Sequence, residues 1–515
     1  MRGSLLVAGT TSDAGKSVLT AGICRWLARQ GVRVAPFKAQ NMSNNSMVAP
    51  DGAEIGRAQA MQAAAAGVPA EAAMNPVLLK PGTDLRSHLV VLGRPAGEAS
   101  APGYWGSGGY GESAGRARLA SVALAAYDDL RSRFDVVVCE GAGSPAEINL
   151  RRDDIVNMGL ARARGLPVIV VGDIDRGGVF AALYGTLALL DAADQAHVGG
   201  FVINKFRGDG DLLTPGLRQI AALTGRPVLG VLPYLTGIWI DAEDAVVVER
   251  PSSVSGPPTA AAGTLRVAVI RLPRISNFTD VDALALEPGV LVRFTATPGE
   301  VADADLAVVP GTRATIADLE WLRARGLDAA LARRADAGLP VLGICGGYQM
   351  LGAVIHDGIE STSGSADGLG LLPVVTTFAA AKVLGRPSGY AGSTPVTGYE
   401  IHHGAVRAHG GEPWFTSEPD GGGAALDGCR LGAVSGTLWH GVFENDAFRQ
   451  AYLSQVAGRA GREWVPVPGM SFEAARQAQF DLLADAVERH LDTSALSRLI
   501  EHGPAPSLPV LRAGL

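Results

Sequence analysis

The sequence has 515 residues, 47% of them hydrophobic and 18% charged, and a formal net charge of −7. This composition excludes a disordered chain, and the acidic balance argues against a nucleic-acid partner. The length exceeds what a single core organises, so we expect two or three domains. Its four widely spaced cysteines argue against a disulfide framework or a zinc knuckle. No apolar run approaches the roughly 18 residues of a membrane span, and the N-terminus lacks a signal-peptide pattern, so we expect no membrane partner and a cytoplasmic location.

The first predicted element is a strand that leads into a glycine-rich loop and then a helix. The loop reads Gly9-Thr10-Thr11-Ser12-Asp13-Ala14-Gly15-Lys16-Ser17. Backbone N–H groups of such a loop bind phosphate oxygens, the lysine reaches the terminal phosphates, and the serine hydroxyl binds magnesium. Five residues separate the two glycines, one more than in the common phosphate-binding loop. The pattern predicts an ATP site formed by Gly9, Thr10, Asp13, Gly15, Lys16 and Ser17; the alternative is a turn that happens to contain Gly-Lys-Ser.

The first 250 residues alternate strand-like apolar runs with helical patterns. The predicted strands are Ser4–Ala8, Val32–Phe37, Val136–Cys139, Pro167–Val171, Val198–Ile203 and Pro227–Val231. Such alternation predicts a mostly parallel sheet with helices on both faces. We therefore assign residues 1–250 to a doubly wound α/β domain.

Lys38, Glu140 and Asn204 each follow a predicted strand. Because the carboxyl ends of parallel strands share one edge of a sheet, we expect these side chains near the phosphate loop. Glu140 would bind magnesium together with Ser17, since magnesium prefers oxygen ligands. Lys38 would neutralise a phosphate or a substrate carboxylate, and Asn204 would recognise adenine through its amide. Ordinary solvated side chains are the alternative for all three.

A Pro-, Ser- and Gly-rich segment, 251–264, predicts a linker, after which the alternation restarts. Residues 265–465 are assigned to a second α/β domain, with strands Leu265–Ile270, Ala307–Val309 and Leu339–Ile344. Residues 466–515 are assigned to a C-terminal helical extension, with one helical pattern from Ser471 to Ile500 that packs back on the body of the protein. The predicted fold class is therefore α/β, with two doubly wound domains.

Cys345 lies in the segment Gly343-Ile344-Cys345-Gly346-Gly347, between a predicted buried strand and an apolar helical pattern. A strand that turns sharply into a helix exposes one side chain, and the flanking glycines permit the strained turn. The start of the helix favours the thiolate form. The pattern predicts a nucleophilic cysteine; the alternative is a buried structural cysteine, the usual fate of a lone Cys.

These motifs together resemble one family. The phosphate loop, Lys38 and Glu140-Gly141-Ala142-Gly143 resemble the dethiobiotin synthetase group of ATP-dependent ligases, and the cysteine segment resembles class I glutamine amidotransferases. Both on one chain, ligase half first, is the layout of the cobalamin-pathway amidotransferases. Within that family, the segments Lys38–Asn45 and Pro273–Asp280 resemble the cobyric acid synthases rather than the a,c-diamide synthases. The resemblance covers about Leu5 to Asn445.

The resemblance implies a glutaminase in which Cys345 is the nucleophile and His440 the base. His440 lies in Trp439-His440-Gly441, which matches a motif of the family. The rivals are His402 and His403, in another motif of the family to which the resemblance assigns a role in shaping the site.

Many class I members place a glutamate two residues after the catalytic histidine, but Val442 stands there. Glu444 is a doubtful substitute, so the resemblance implies a Cys–His dyad. The N–H of Gly346 and an amide of Gly311 or Thr312 would form the oxyanion hole. The alternative for the Gly311–Thr312 loop is a plain strand-ending turn.

The resemblance also implies the reaction. Glutamine would be hydrolysed in the second half, and MgATP would phosphorylate a corrinoid carboxylate in the first, so that ammonia displaces the phosphate. The family's substrate is adenosylcobyrinic acid a,c-diamide, amidated at the b, d, e and g carboxylates to adenosylcobyric acid. The alternatives are an a,c-diamide synthase and a P-loop switch ATPase, and a homo-oligomer is left open.

Overall fold

The computed structural model describes residues 1–82, 86–100, 112–239, 263–361, 364–417 and 425–511. The predicted linker over 251–264 lies outside the described residues except for its last two positions. None of the described helices is long and apolar enough to cross a membrane.

The first half contains the strands β1 Gly3–Gly9, β2 Val34–Phe37, β3 Gln40–Met42, β4 Ser46–Val48, β5 Glu54–Gly56, β6 Val77–Pro81, β7 Arg86–Val91, β8 Arg94–Ser100, β9 Val136–Glu140, β10 Val168–Asp173, β11 Val198–Phe206 and β12 Val228–Pro233. Its helices are α1 Lys16–Arg29, α2 Arg57–Ala66, α3 Glu112–Arg133, α4 Met158–Arg164, α5 Val179–Leu189, α6 Ala192–Gln195 and α7 Thr214–Thr224.

The second half contains the strands β13 Leu265–Ile270, β14 Val290–Thr295, β15 Leu306–Val309, β16 Val341–Ile344, β17 Val354–Asp357, β18 Gly364–Asp367, β19 Val374–Gly385, β20 Ser388–Ala391, β21 Thr394–Thr397, β22 Glu400–Ala408, β23 Phe415–Ser417, β24 Ala425–Asp427, β25 Cys429–Leu431 and β26 Val434–Thr437. Its helices are α8 Asp282–Leu286, α9 Pro298–Asp303, α10 Thr315–Ala324, α11 Leu327–Asp336, α12 Gly346–Leu351 and α13 Asp446–Ala460, and they are followed by α14 Phe472–His490 and α15 Thr493–His502.

The first half is built on a six-stranded parallel sheet with the order β12-β11-β10-β1-β9-β2. Its central strands β1, β9 and β10 are almost wholly buried, as expected for parallel strands with helices on both faces. Strand β1 lies between β9 and β10. The carboxyl ends of these three strands therefore form a topological switch point of the sheet, which is where ligands bind in open α/β folds. The phosphate loop begins at this edge.

The second half repeats the plan with the order β14-β13-β15-β16-β26-β25, in which only the β25–β26 pair is antiparallel. Two four-stranded sheets, β18-β17-β19-β22 and β21-β20-β23-β24, are added to it. The prediction of an α/β fold with two domains built on mostly parallel sheets is confirmed, whereas the exact domain boundaries stay predictions.

The C-terminal extension differs from its predicted form, because two helices replace the single helix over 471–500. The break comes at Leu491, which pairs with Gly230 of β12. The N–H of Asp492 donates to the carbonyl of Leu229, and its carboxylate caps α15 by accepting from the N–H of Ala495. Pairing with the sheet therefore takes the backbone out of the helix. Both α14 and α15 pack on the first half, where Phe480 contacts α1 and α2.

The two halves touch through the β4–β5 hairpin and α2 of the first half. Val48 packs against Tyr399 and Ile401 in a small apolar cluster. The N–H of Ser46 donates to Oδ1 of Asn277 at 3.0 Å. Through the apolar cluster, the first half packs against the start of β22 and the residue directly before it.

Candidate active sites in the two halves

The phosphate loop leaves β1 at Gly9 and is fixed to neighbouring strands. The N–H of Thr10 donates to the carbonyl of Val171 in β10 at 2.9 Å, and Nδ2 of Asn204 donates to the carbonyl of Ala14 at 2.9 Å. Gly15 has φ +96°, and a Cβ on it would lie 2.1 Å from Nδ2 of Asn204. Only glycine fits there. Asn204 thus holds the loop, a role that the sequence did not indicate, and its recognition of adenine stays a prediction.

Lys16 folds back on the loop that precedes it. Its Nζ donates to the carbonyls of Thr11 at 2.8 Å and Ser12 at 3.1 Å, and the side chain is buried. The carboxylate of Asp13 accepts from Arg176 at 2.7 Å at the rim of the loop. The ammonium therefore already lies inside the loop, where terminal phosphates would compete with these carbonyls for it.

Glu140, buried at the end of β9, joins three polar side chains. Its Oε1 accepts from the hydroxyl of Ser17 at 2.8 Å and from Nζ of Lys38 at 3.0 Å. Its Oε2 accepts from Nε2 of Gln62 on α2. Burial alone would raise the pKa of Glu140, but the charge of Lys38 and these hydrogen bonds outweigh it and lower the pKa. The carboxylate is ionised beside the phosphate loop.

The donor set at this point fits magnesium. The hydroxyl of Ser17 and the carboxylate of Glu140 are hard oxygen ligands within hydrogen-bond distance of each other, directly behind the phosphate loop. The described residues contain no cluster of three or more His, Cys, Asp or Glu side chains that would hold a metal alone. A cation here would therefore share its shell with phosphate oxygens and water.

Cys345 forms the sharp turn between β16 and α12. Its backbone has φ +50° and ψ −111°, a conformation that residues other than glycine rarely adopt, and the residue is mostly buried. Its N–H donates to the carbonyl of Thr437 at 2.8 Å, which ties the turn to β26. A Cβ on Gly347 would lie 1.9 Å from the carbonyl oxygen of Val309, so the second glycine is required. The sharp strand-to-helix turn predicted at Cys345 is therefore present, and the role of its thiol as a nucleophile stays a prediction.

His440 lies next to Cys345 and is held by a carboxylate from a distant segment. Its Nδ1 hydrogen-bonds Oδ2 of Asp280 at 2.7 Å, and Oδ1 of the same carboxylate accepts from the N–H of Gly441 at 2.9 Å. Burial would lower the pKa of His440, but Asp280 and the neighbouring Cys345 act against it and raise the pKa to about 10. The raised pKa of His440 favours the protonated imidazole at neutral pH.

The loop predicted to complete the oxyanion hole faces the elbow. The amide nitrogen of Thr312 lies 3.1 Å from the position that a Cβ on Gly346 would occupy. The corresponding position on Gly311 is 3.4 Å from Cε1 of His440. The structure thus brings Gly346, Gly311, Thr312, Cys345 and His440 together, and their roles in catalysis stay predictions. Donation to an oxyanion stays a prediction.

The rival and doubtful residues have other contacts. His402 lies 3.6 Å from Glu400, and Nδ1 of His403 bonds the carbonyl of Ala379. Glu444 accepts from Arg57 at 2.8 Å, while Asp280 takes the position beside His440.

The sequence analysis missed Asp280 and Gln62. Asp280 is the last residue of the segment Pro273–Asp280, which resembles a motif of the family. A carboxylate within such a motif was the signal that could have identified it. For Gln62, inside an alanine-rich helix, the sequence contains no such signal.

Comparisons with known proteins agree with this arrangement. Residues 5–245 match the CobQ/CobB/MinD/ParA nucleotide binding domain, and residues 266–448 match the CobB/CobQ-like glutamine amidotransferase domain. A cobyric acid synthase of Frankia casuarinae is 60% identical over an alignment that covers 100% of both chains. Cobyric acid synthases of Streptomyces avermitilis and Streptomyces coelicolor are 59% and 58% identical, and each alignment covers 100% of this chain and 99% of the relative.

Proposed function

The chain belongs to the cobyric acid synthase family, and from that premise we propose which residues perform each half of its reaction. It is a glutamine-dependent amidoligase of cobalamin biosynthesis. The family's reaction amidates the b, d, e and g carboxylates of adenosylcobyrinic acid a,c-diamide. The observation that carries the assignment of residues is the contact of His440 with both Cys345 and Asp280.

In the second half, Cys345 attacks the side-chain amide of glutamine. The thiolate forms a thioester, and His440, protonated before the attack, donates its proton to the departing ammonia. Water then hydrolyses the thioester, with His440 as the base that accepts its proton, and glutamate leaves. Asp280 is a positioning residue: it fixes the tautomer and orientation of the imidazole and stabilises its charge. The amides of Gly346 and Thr312 stabilise the oxyanion.

In the first half, the phosphate loop binds ATP, and an oxygen of a corrinoid carboxylate attacks the γ-phosphorus. The bond from that phosphorus to the β–γ bridging oxygen breaks, so that ADP leaves and an acyl phosphate forms. A carboxylate oxygen is a poor leaving group, but in the acyl phosphate it is part of a phosphate that can leave. Ammonia attacks the acyl carbon and displaces this phosphate, which gives the amide. Lys16 and the loop amides stabilise charge on the phosphoryl group, and Lys38 orients the carboxylate or a phosphate oxygen. Magnesium, held by Ser17 and Glu140, would neutralise charge on the β- and γ-phosphates when bound.

The test separates the two halves by nitrogen donor. Mass spectrometry follows adenosylcobyrinic acid a,c-diamide incubated with MgATP and either glutamine or ammonium. We expect Cys345→Ala to amidate the corrinoid only with ammonium, and Lys16→Ala to amidate it with neither. Amidation from glutamine by Cys345→Ala would contradict the assigned nucleophile. A product with fewer than four new amides would contradict the assigned substrate.

A further inference from the structure

Helix α2 belongs to the ligase half but begins at the glutaminase site. Its first residue, Arg57, is 3% exposed. The guanidinium donates through NH1 to the hydroxyl of Tyr399 at 3.3 Å and through NH2 to Oε1 of Glu444 at 2.8 Å. Both partners lie in the second half of the chain, so α2 is anchored across the boundary between the halves by a buried, charged hydrogen-bond donor.

Tyr399, which accepts from Arg57, also contacts His440 directly. The rings of Tyr399 and His440 are stacked, with centroids 5.2 Å apart and an interplanar angle of 21°. Their backbones also pair, since the N–H of each donates to the carbonyl of the other at 3.0 and 2.8 Å. Asp280 therefore holds the edge of the imidazole at Nδ1, while Tyr399 covers a face of the ring. A shift of Tyr399 would change the orientation of the imidazole toward Cys345.

The same helix reaches the nucleotide site from its other side. Nε2 of Gln62 donates to Oε2 of Glu140 and, at 3.4 Å, to the carbonyl of Ser17. Gln62 follows Arg57 by five positions, so about 7.5 Å of helix axis separates the two residues. A helix this short transmits a displacement as a rigid body because its backbone bonds are internal.

We infer that α2 connects the two active sites, with Arg57 as a positioning residue that the ligase half supplies to the glutaminase. Loading of the nucleotide site changes what Glu140 binds, hence its bond with Gln62, and α2 carries the change to Tyr399 and His440. Glutamine is then hydrolysed fastest when the ligase site is ready to use ammonia. The inference rests on the proposed Cys345–His440 pair.

The first arm of the experiment measures glutamine hydrolysis by the full-length protein. In Arg57→Ala and Tyr399→Phe we expect kcat to fall about tenfold, with KM for glutamine within about twofold, because the imidazole and not the substrate is displaced. The double variant is no slower than either single one, since both remove one interaction. Arg57→Lys restores part of the rate. Arg476→Ala, which removes the other cation near Glu444, is the matched control and retains wild-type kcat.

The second arm measures the effect of MgATP and corrinoid on glutamine hydrolysis. We expect them to stimulate the wild type and to have no effect on Arg57→Ala. Gln62→Met removes the hydrogen bond with Glu140 but keeps the length of the side chain. We expect glutamine hydrolysis by this variant also to show no stimulation by MgATP and corrinoid. Amidation from ammonium by Arg57→Ala stays within about twofold of wild type, because the ligase site is intact.

The outcomes distinguish this inference from the proposed function. The inference would be overturned if Arg57→Ala and Tyr399→Phe kept the wild-type kcat for glutamine hydrolysis and its stimulation by MgATP and corrinoid. The Cys345–His440 pair would still be supported in that case if Cys345→Ala lost glutamine hydrolysis. Glutamine hydrolysis by Cys345→Ala would overturn the dyad itself. An equal loss of ammonium-dependent amidation in Tyr399→Phe would show general damage to the fold and would also overturn the positioning role.

Discussion

The two active sites use the same local device, a buried parallel strand that turns into a helix, but they place the strained backbone differently. At the end of β1, Gly15 takes the left-handed conformation, and Lys16, which we propose binds phosphate, is unstrained. At the end of β16, the proposed nucleophile Cys345 itself has φ +50°. Strain of this kind costs on the order of 1–3 kcal/mol and persists only where the surroundings hold it. The turn at Cys345 is therefore formed before glutamine binds.

The charged groups show the same difference. In the ligase half, Lys16 and Lys38 donate to the protein's own oxygens, with which the proposed ligands would have to compete. In the glutaminase half, the ion pair of His440 and Asp280 already has the arrangement that the reaction needs. The ligands of the first site would have to displace its internal ion pairs, whereas the charged pair of the second site is already formed before glutamine binds. Substitutions that alter each set of charges should therefore affect the two nitrogen donors differently.

The largest effect is expected for Glu140→Gln. The change removes the negative charge that balances Lys38 and replaces one carboxylate oxygen with an NH2 group, which cannot ligate magnesium. We expect the kcat of amidation to fall about a thousandfold with either glutamine or ammonium, because the electrostatic arrangement around the phosphoryl group is lost. Steady-state rates with both nitrogen donors check this. Glu488→Gln, an exposed change on α14, is the control, and wild-type ammonium-dependent amidation in Glu140→Gln would contradict the assignment.

Asp280→Asn should affect only one nitrogen donor. The amide can still accept from the N–H of Gly441, but it presents N–H to Nδ1 of His440 and so favours the wrong tautomer. We expect kcat with glutamine to fall about a hundredfold and the rate with ammonium to remain. Asp303→Asn, at an exposed end of α9, controls for charge. If both donors lose activity equally, Asp280 supports the fold rather than the histidine.

The features that could be predicted from the sequence are those written in contiguous residues. The strand, loop and helix around Gly9–Ser17 follow one another along the chain, and so do the strand and elbow at Cys345. Glycine spacing and apolar runs specify such units locally. Even the meeting of Glu140 with Ser17 followed from the rule that parallel strands share one edge.

The contacts that the sequence could not give join distant segments. Asp280 and His440 are 160 positions apart, and Arg57 and Tyr399 are 342 apart. Strands β3, β4 and β5 also went unpredicted, because three residues are too few to show an alternating pattern. The break in the C-terminal helix depends on Gly230 of the sheet, which no local pattern of the helix indicates.

The boundary between the two halves offers an effect on stability instead of on rate. Glu54 of β5 is fully buried and accepts from Lys80 at 2.6 Å and from Lys382 of the second half. Glu54→Gln leaves two buried ammonium groups without a carboxylate, so we expect the free energy of unfolding to fall by about 3–5 kcal/mol. Urea denaturation measures it, with the exposed Glu412→Gln as control. An unchanged midpoint would mean that the cluster does not hold the halves together.

The smallest effect concerns pH and tests the preassembled pair directly. The pKa of His440 is raised from its ordinary 6.5 to about 10, so its protonation stabilises the folded state fully below the unfolded pKa and is lost as pH rises through the folded one. Between pH 7 and pH 9, we expect this group alone to lower the free energy of unfolding by about 1.4 kcal/mol per pH unit. Comparison with His440→Gln by urea denaturation isolates the slope. Parallel curves for the two proteins would show a neutral imidazole, and the proton given to ammonia would then have to come from Cys345.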